Sequence, residues 1–432
     1  MMENRKYKSS YYNHYGLLHS GDYLIYNVFS SAVGIITPEE KGAIESCQGI
    51  PELMETCIEQ GFIIPAEERE IEKVLALRNA TNFSSTKAGF QILPTTACNA
   101  RCFYCYEQGF PIQTMTPETL EATAKFIINY SEGMQEVNVT WFGGEPFMQE
   151  GLIQKFSEQL IPALERKGIQ YGASVITNGS FLSDMDVEKI KETYRITNVQ
   201  ITLDGSGDTH ITRKGFVAPE IEYQTIMQVI AQLTNHQVET WVRINVDRDN
   251  LESCLTVIDD LKGLDADKDY LWPYVAPLYS VKNSSACFNS DELNTVFSQV
   301  YRKLIDCSFI KTVNGLPMHF TPAICSASQQ NNYVIAPTGD ILKCEHLFGV
   351  SDEVVGSVYQ GLVFNDAYAK WADPFISHKC KSCKELPACQ AGCYASEQSG
   401  FGYGRCPCTA FVHEAIVSAV DYLLEKEGGE SL

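Results

Sequence analysis

The chain has 432 residues, 44% hydrophobic and 20% charged, with a formal net charge of −21; that is length enough for two or three domains with cores of their own. So acidic a balance argues against general nucleic-acid binding and against an anionic membrane surface, both of which call for basic patches. A basic peptide or a neutral small molecule is easier to accommodate. The start, M-M-E-N-R-K-Y-K-S-S, lacks the apolar run of a signal peptide, and no stretch reaches membrane-span length, so a cytoplasmic protein without a membrane partner is expected. Sixteen cysteines in such a chain are read as metal ligands before disulfides. Cys47, Cys57, Cys254, Cys287 and Cys307 are scattered, the usual pattern of small buried hydrophobes.

Residues 1–85 come first. Tyr23–Phe29 and Ala32–Ile36 read as a strand hairpin. Thr37 caps a helix that opens on Pro38. A second helix is predicted over 53–60, a short strand over 62–64 and a charged helix over 66–78. This β-β-α-α-β plan is similar to the winged-helix recognition element (RRE) fused to many enzymes that modify ribosomally made peptides. The resemblance implies that a leader peptide adds as a strand to an exposed sheet edge. The alternative is a cap on the domain that follows. Residues 79–87 are polar and turn-rich, and read as a linker.

From Gly89 apolar strands alternate with amphipathic helices. Strands read at 90–95, 137–142, 172–177, 198–203, 238–246 and 270–277, and helices at 117–130, 150–167, 183–194, 220–235, 250–262 and 290–306. Six β-α units imply an α/β fold with a parallel sheet and helices outside, and catalytic groups gather at the C-terminal strand ends of such barrels. After the first strand, Cys98, Cys102 and Cys105 stand in a C-x3-C-x2-C spacing within A-C-N-A-R-C-F-Y-C-Y-E. Three thiolates on one loop hold three corners of an iron–sulfur cubane and leave one iron open; a zinc knuckle is the alternative. After the second strand comes Trp141-Phe-Gly-Gly-Glu-Pro146. There Gly143 and Gly144 permit close backbone approach, Glu145 is placed to meet a cation, and Pro146 removes a donor. Thr177-Asn178-Gly and Thr202-Leu-Asp204-Gly follow the third and fourth strands with hydrogen-bond donors and acceptors, though each triplet alone is more often a turn. In the fifth strand Arg243 and Asn245 share a face. His210 and His236 show no partner pattern and read as surface or core.

Together these motifs resemble the radical S-adenosylmethionine (SAM) superfamily, whose fold is a partial (βα)6 barrel. The resemblance implies a [4Fe–4S] cluster on Cys98, Cys102 and Cys105, whose open iron chelates SAM. It also implies reductive cleavage of SAM to a 5′-deoxyadenosyl radical that takes a hydrogen atom from substrate. Tyr104, Gly143, Gly144, Glu145, Pro146, Thr177, Asn178 and Asp204 fall where that family binds SAM: the G-G-E-P at its amino group, the later motifs at its ribose and carboxylate. Arg243 would pair with the SAM carboxylate if its face is interior; the alternative is a structural ion pair.

From about Phe320 the chain changes character. Cys325-x13-Gly339-x4-Cys344 is followed by Cys380-x2-Cys383-x5-Cys389-x3-Cys393 and then Cys406 and Cys408. Asn332–Cys344 reads as a hairpin turning at Pro337-Thr-Gly-Asp340. The arrangement resembles the SPASM domain, which carries two auxiliary [4Fe–4S] clusters; a zinc ribbon is the alternative. By that resemblance Cys380, Cys383 and Cys389, closed by Cys406 or Cys408, hold the outer cluster, and Cys325, Cys344 and Cys393 the inner one. The family's further cysteine just before the position of Cys325 is missing. The nearest is Cys307, eighteen residues upstream. Either the inner cluster keeps an open iron for a substrate thiolate, or Cys406 and Cys408 both serve. Glu345, directly after Cys344, falls where sulfatase-maturing relatives are thought to carry a base on substrate; a carboxylate accepting supporting hydrogen bonds is the alternative.

The domains expected are thus 1–85 RRE-like, 86–308 radical SAM partial barrel and 309–432 SPASM, with three [4Fe–4S] clusters and SAM as cofactors. The implied function is hydrogen abstraction from a precursor peptide with a leader sequence, the auxiliary clusters taking the second electron as a crosslink closes. An electron donor such as flavodoxin or ferredoxin is implied. An open inner iron favours a thioether; carbon–carbon crosslinking comes next. Formylglycine formation in the manner of anaerobic sulfatase-maturing enzymes is the runner-up, and the extra N-terminal segment argues against it. A non-catalytic electron carrier or peptide-binding module is opposed by the intact G-G-E-P and the open three-cysteine loop.

Overall fold

The computed structural model describes residues 6–278, 286–322, 325–372, 378–389 and 412–426. The N-terminal unit contains β1 (Tyr7–Ser9), β2 (Asn13–Leu17), β3 (Tyr23–Asn27), β4 (Val33–Ile36), α1 (Pro38–Ser46), α2 (Pro51–Glu59), β5 (Ile63–Pro65) and α3 (Glu70–Asn82). Strands β2, β3 and β4 form an antiparallel sheet in that order, and β1 pairs with β5. Thr37 and Glu40 close a capping box at the start of α1. The first two strands were not expected, because Y-K-S and N-H-Y-G-L are too short and too polar to alternate. The expected linker is partly helical: α3 runs on to Asn82 because Arg78 and Asn82 point inward and are buried.

The central sheet takes β6 (Lys87–Ile92), β7 (Glu136–Trp141), β8 (Gln170–Thr177), β9 (Ile196–Leu203), β10 (Glu239–Val246) and β11 (Leu271–Pro277), all parallel and in sequence order. Helices α4 (Pro117–Tyr130), α5 (Glu150–Arg166), α6 (Gly207–Lys214), α7 (Tyr223–Asn235), α8 (Leu251–Gly263) and α9 (Ser290–Asp306) run between and after the strands. Two expected helices change. At 183–194 there is a 3-10 turn, Leu182–Asp184, and a π turn, Lys189–Thr193. The widened last turn brings Tyr194 into the core, where its hydroxyl binds Glu150. The helix expected from 220 starts at Tyr223, and α6 precedes it.

Strand alternation divides the sheet into two faces. On β7, Val137, Val139 and Trp141 are buried, and Trp141 meets Phe156 of α5 edge-on at 5.2 Å. The opposite face turns away from the helices and is polar and aromatic. Thr140 bonds Ser174 (2.9 Å), Tyr274 donates to Gln200 (2.8 Å), and Trp241 stacks with Trp272 (centroids 5.9 Å apart).

The sheet does not end at β6. β12 (Asn332–Ile335) pairs with it in parallel, and β13 (Asp340–Leu342), β14 (Gly356–Ser357) and β15 (Gly361–Leu362) extend it to ten strands. The expected hairpin is β12–β13, with Gly339 at φ 87° in its turn. Helices α10 (Asp366–Ala372), α11 (His378–Lys381) and α12 (His413–Lys426) follow. α12 packs along α9 and against β2, so closely that a Cβ on Gly16 would sit 2.2 Å from Val417. The N-terminal unit also grips residues 382–385: Tyr11 donates to the Ser382 carbonyl (2.7 Å), Lys384 to the Asn13 carbonyl (3.3 Å), and His14 Nε2 lies 3.4 Å from Glu385. Cys57, Cys254 and Cys307 are buried, as expected of small hydrophobes, while Cys47 and Cys287 are partly exposed.

Candidate active site

The three-cysteine loop leaves the C-terminal end of β6 and crosses the strand-end face of the sheet. Its base rests on the turn after β7. The N–H of Gly144 donates to the Thr95 carbonyl (3.1 Å) and that of Glu145 to the Ala97 carbonyl (2.9 Å). A Cβ on Gly144 would lie 2.0 Å from the Ala97 oxygen, and one on Gly143 (φ 118°) 2.4 Å from the Thr95 oxygen. Both glycines are therefore required by the close approach of two backbones.

Glu145 is fully buried at this junction. Its carboxylate accepts from the Thr177 hydroxyl (2.8 and 2.9 Å), the Asn178 N–H (2.9 Å) and the Phe147 N–H (3.2 Å). Burial nevertheless pushes its carboxyl up to about 7, against the pull of those donors. Pro146 opens the short helical turn behind it. Thr177, expected at a ribose, thus has its hydroxyl on Glu145, and the Asn178 side chain donates to Asn99 of the cysteine loop (2.8 Å).

Asp204, at the end of β9, is also fully enclosed. It accepts from Tyr104 (2.6 and 2.8 Å) and Asn245 (3.1 Å) and pairs with Lys214 at 3.3 Å. Burial alone would raise its carboxyl; Lys214, Tyr104 and Asn245 outweigh that and hold it below the usual range. Lys214 is held above its ordinary value by Asp204 against its own burial. His210 is a core histidine: its Nδ1 accepts from the Asp204 N–H (3.2 Å), and burial keeps it neutral with a value of about 3. His236 is exposed and bonds the Gln232 carbonyl (2.7 Å).

Sequence reasoning missed the element that grips the loop, which is the end of α6. The Lys214 carbonyl accepts from the Arg101 N–H (2.8 Å), Lys214 Nζ reaches Tyr104 (3.1 Å), and Arg213 stands 5.0 Å over the Phe103 ring while pairing with Asp247. A lysine on a short polar helix signals a solvated face, so no periodicity marks it. Arg243 is half-buried and donates to Asn245 (2.9 Å), on the same face as Trp241 and turned away from the helices.

The fit of this loop to a metal cluster rests on its donors. Cys98, Cys102 and Cys105 share one short loop, in which the Cys105 N–H donates to the Cys102 carbonyl (3.1 Å). Burial raises the Cys98 thiol to about 11, so its thiolate form needs a cationic partner such as iron. Among the described residues no three His, Cys, Asp or Glu side chains close around a single ion. The donor set is the three soft sulfurs that a cubane takes, and Glu145 is a buried carboxylate beside them.

Across the loop lies the tail. Tyr106, next to Cys105, stacks at 4.0 Å on His346, two residues after Cys344. Glu345 is half-buried, 3.9 Å from His346. Glu107, which the sequence did not single out, has enclosed carboxylate oxygens; burial raises it to about 7, with Tyr106 opposing and Glu345 adding to the rise. Cys325 and Cys344 share one apolar cluster with Ala327, Leu347 and Trp371. Cys380, Cys383 and Cys389 lie on and just after α11. Cys393, Cys406 and Cys408 lie outside the described residues.

A parallel six-stranded half-barrel, with a three-cysteine loop after its first strand and a glycine–glycine–glutamate turn after its second, defines a radical SAM-type core. Residues 92–261 match the family model described as Radical SAM superfamily. The chain therefore carries a radical SAM domain over those residues. It is 22% identical over 316 residues to the serine-type anaerobic sulfatase-maturating enzyme of Klebsiella aerogenes, covering 69% of this chain and 77% of that one. Among solved structures it resembles anSMEcpe with bound AdoMet and Cp18Cys peptide (TM-score 0.53, 16% identity, 79% of this chain and 97% of that one). It also resembles Streptococcus suis SuiB bound to precursor peptide SuiA (TM-score 0.52, 15% identity, 91% and 97%). Among the described residues no helix is long and apolar enough to cross a membrane.

Proposed function

We propose that this enzyme crosslinks a ribosomally made precursor peptide in the cytoplasm, with a thioether as the favoured bond. The observation that carries the reading is the contact between the three-cysteine loop and the tail, in which Tyr106, next to Cys105, stacks at 4.0 Å on His346, two residues after Cys344. It puts a candidate auxiliary-cluster ligand beside the radical-generating loop. Two structural relatives were solved with peptides, Cp18Cys and SuiA. The likeness to SuiB spans 91% of this chain, against 79% for anSMEcpe, which supports reading residues 1–85 as a leader-peptide domain.

When loaded, a [4Fe–4S] cluster on Cys98, Cys102 and Cys105 with SAM supplies the radical that takes hydrogen from the peptide. The chain's own residues do the rest. Glu145 offers a carboxylate for an amino group, and Lys214 with Asp204 holds Tyr104 and the loop in place. Arg243, Trp241 and Trp272 line the face a peptide would enter. Glu345 is the proposed base. Cys325 and Cys344 with Cys393, and Cys380, Cys383 and Cys389 with Cys406 or Cys408, are the proposed auxiliary sets, and flavodoxin or ferredoxin is the proposed electron donor to the three-cysteine loop. Cys307 is buried at the end of α9 with its thiol 3.6 Å from Asp259 of α8. That favours an inner cluster whose fourth position is left to a substrate thiolate. The sulfatase-maturating relatives keep formylglycine formation as the second reading.

Anaerobic iron and sulfide analysis of the reconstituted protein tests this, with Cys98/Cys102/Cys105→Ala alongside. About twelve irons in the parent and about eight in the variant are expected; about four, all lost in the variant, would remove the auxiliary clusters. Incubation with a cysteine-containing precursor peptide should yield a product lighter by two hydrogen atoms that resists thiol alkylation. An aldehyde product would establish formylglycine formation instead.

A further inference from the structure

Helix α3 carries an arginine that the N-terminal unit does not satisfy. Arg78 is fully buried, and a buried guanidinium is costly unless its charge and its N–H donors are met. Its Nη2 donates to the carbonyls of Leu386, Pro387 (3.5 Å) and Cys389 (2.5 Å). Its Nε and Nη1 are buried and meet no acceptor, and no carboxylate pairs with it among the described residues.

The carbonyls it reaches belong to the turn that presents three cysteines. The Cys383 N–H donates to the Cys380 carbonyl (3.0 Å) and the Cys389 N–H to the Glu385 carbonyl (2.8 Å). Of the three cysteines on that turn, Cys389 is buried and Cys380 and Cys383 are half-buried. One desolvated cation with unused donors therefore sits against the turn that carries three soft ligands.

We propose that Arg78 is the positive partner of the iron–sulfur cluster held by Cys380, Cys383 and Cys389, giving its free N–H donors to the cluster's sulfurs and raising its reduction potential; this rests on the auxiliary-cluster reading above. A thiolate-ligated cluster becomes more negative on reduction. A fixed cation, itself shut off from water, and hydrogen bonds to sulfur stabilise the reduced form more than the oxidised one. The electron-accepting strength of the outer cluster is then set by a helix of the N-terminal unit. Arg78 is a positioning and tuning residue and touches no substrate.

The test is an EPR-monitored redox titration of full-length protein in the Cys98/Cys102/Cys105→Ala background, the outer signal being the one lost in Cys383→Ala. Arg78→Gln should lower the outer midpoint, by about 59 mV for a tenfold shift in the one-electron equilibrium, and leave the inner midpoint in place. Arg78→Lys, which keeps the charge and loses the planar fork, should fall between. An unchanged outer midpoint at full iron content overturns the role of Arg78 and spares the cluster. A tail that binds no iron in the parent protein overturns both. Should Arg78→Gln fail to fold, the parent protein with guanidinium-15N arginine serves. Pulsed EPR of the reduced outer cluster should show a nitrogen coupling that Arg78→Lys removes, and its absence in the parent overturns the inference.

Discussion

One added carbon at Gly144 would strike the Ala97 carbonyl at 2.0 Å. Gly144→Ala is therefore expected to cost about 1–3 kcal/mol through forced backbone movement and to lower iron bound at Cys98, Cys102 and Cys105, read by denaturant unfolding and iron analysis. Lys214→Met leaves Asp204 a buried anion without its cation, at a cost of about 3–5 kcal/mol, measured the same way on the cluster-free protein. Glu145 gives a pH dependence with a definite sign. Its carboxyl is raised from 4.5 to about 7 by burial. Between those values the folded chain keeps a proton that the unfolded chain releases. The cluster-free protein thus loses stability through this group as pH rises across that window, by about 3 kcal/mol in full. Urea titrations at pH 4.5 and 7.5 should show the loss in the parent and its removal in Glu145→Gln. At this scale the sequence was legible wherever a residue type had one use. The cysteines and the G-G-E-P stood out, because thiolates and paired glycines are rarely idle together. Lys214, Glu107 and Arg78 did not, because a charged residue looks the same in sequence whether it faces water or a buried partner.

Among the elements, β4 has a consequence for the proposed leader peptide. It pairs with β3 on one side, and among the described residues no strand pairs with its other edge. The Asn27 N–H donates to the Ala32 carbonyl (2.9 Å), so by antiparallel alternation Gly34 and Ile36 bond inward, while Val33 and Ile35 present their backbone groups outward. Proline on that outward position is tolerated by the sheet and cannot donate to an added strand. Ile35→Pro should leave iron content unchanged, lower the unfolding midpoint only by the packing of one half-buried side chain, and weaken leader-peptide binding about tenfold or more, measured by fluorescence anisotropy; unchanged binding would place the proposed leader elsewhere. The six barrel strands were readable from sequence because each is a bounded apolar run before a turn motif. The π turn at Lys189–Thr193 and helix α6 were not, since the first depends on where Tyr194 finds room and the second carries its buried groups, His210 and Lys214, on a polar sequence.

For the whole molecule, the two ends of the chain complete each other. α12 lies on β2, and Tyr26 meets His413 at 2.7 Å. The barrel's first strand takes its outer neighbour, β12, from residues 332–335. That pairing has a history inside the cell. Strand β6 leaves the ribosome with one side of its backbone bare, and the segment that covers it is made roughly 240 residues later, some 12–48 s at ordinary elongation rates. For that interval the nascent chain carries an open parallel edge, the kind that recruits other chains. A chain halted at residue 320 should accumulate in the insoluble fraction or on chaperones, whereas one halted after residue 365 should not; equal solubility of the two would show that β6 is shielded by something other than its late partner.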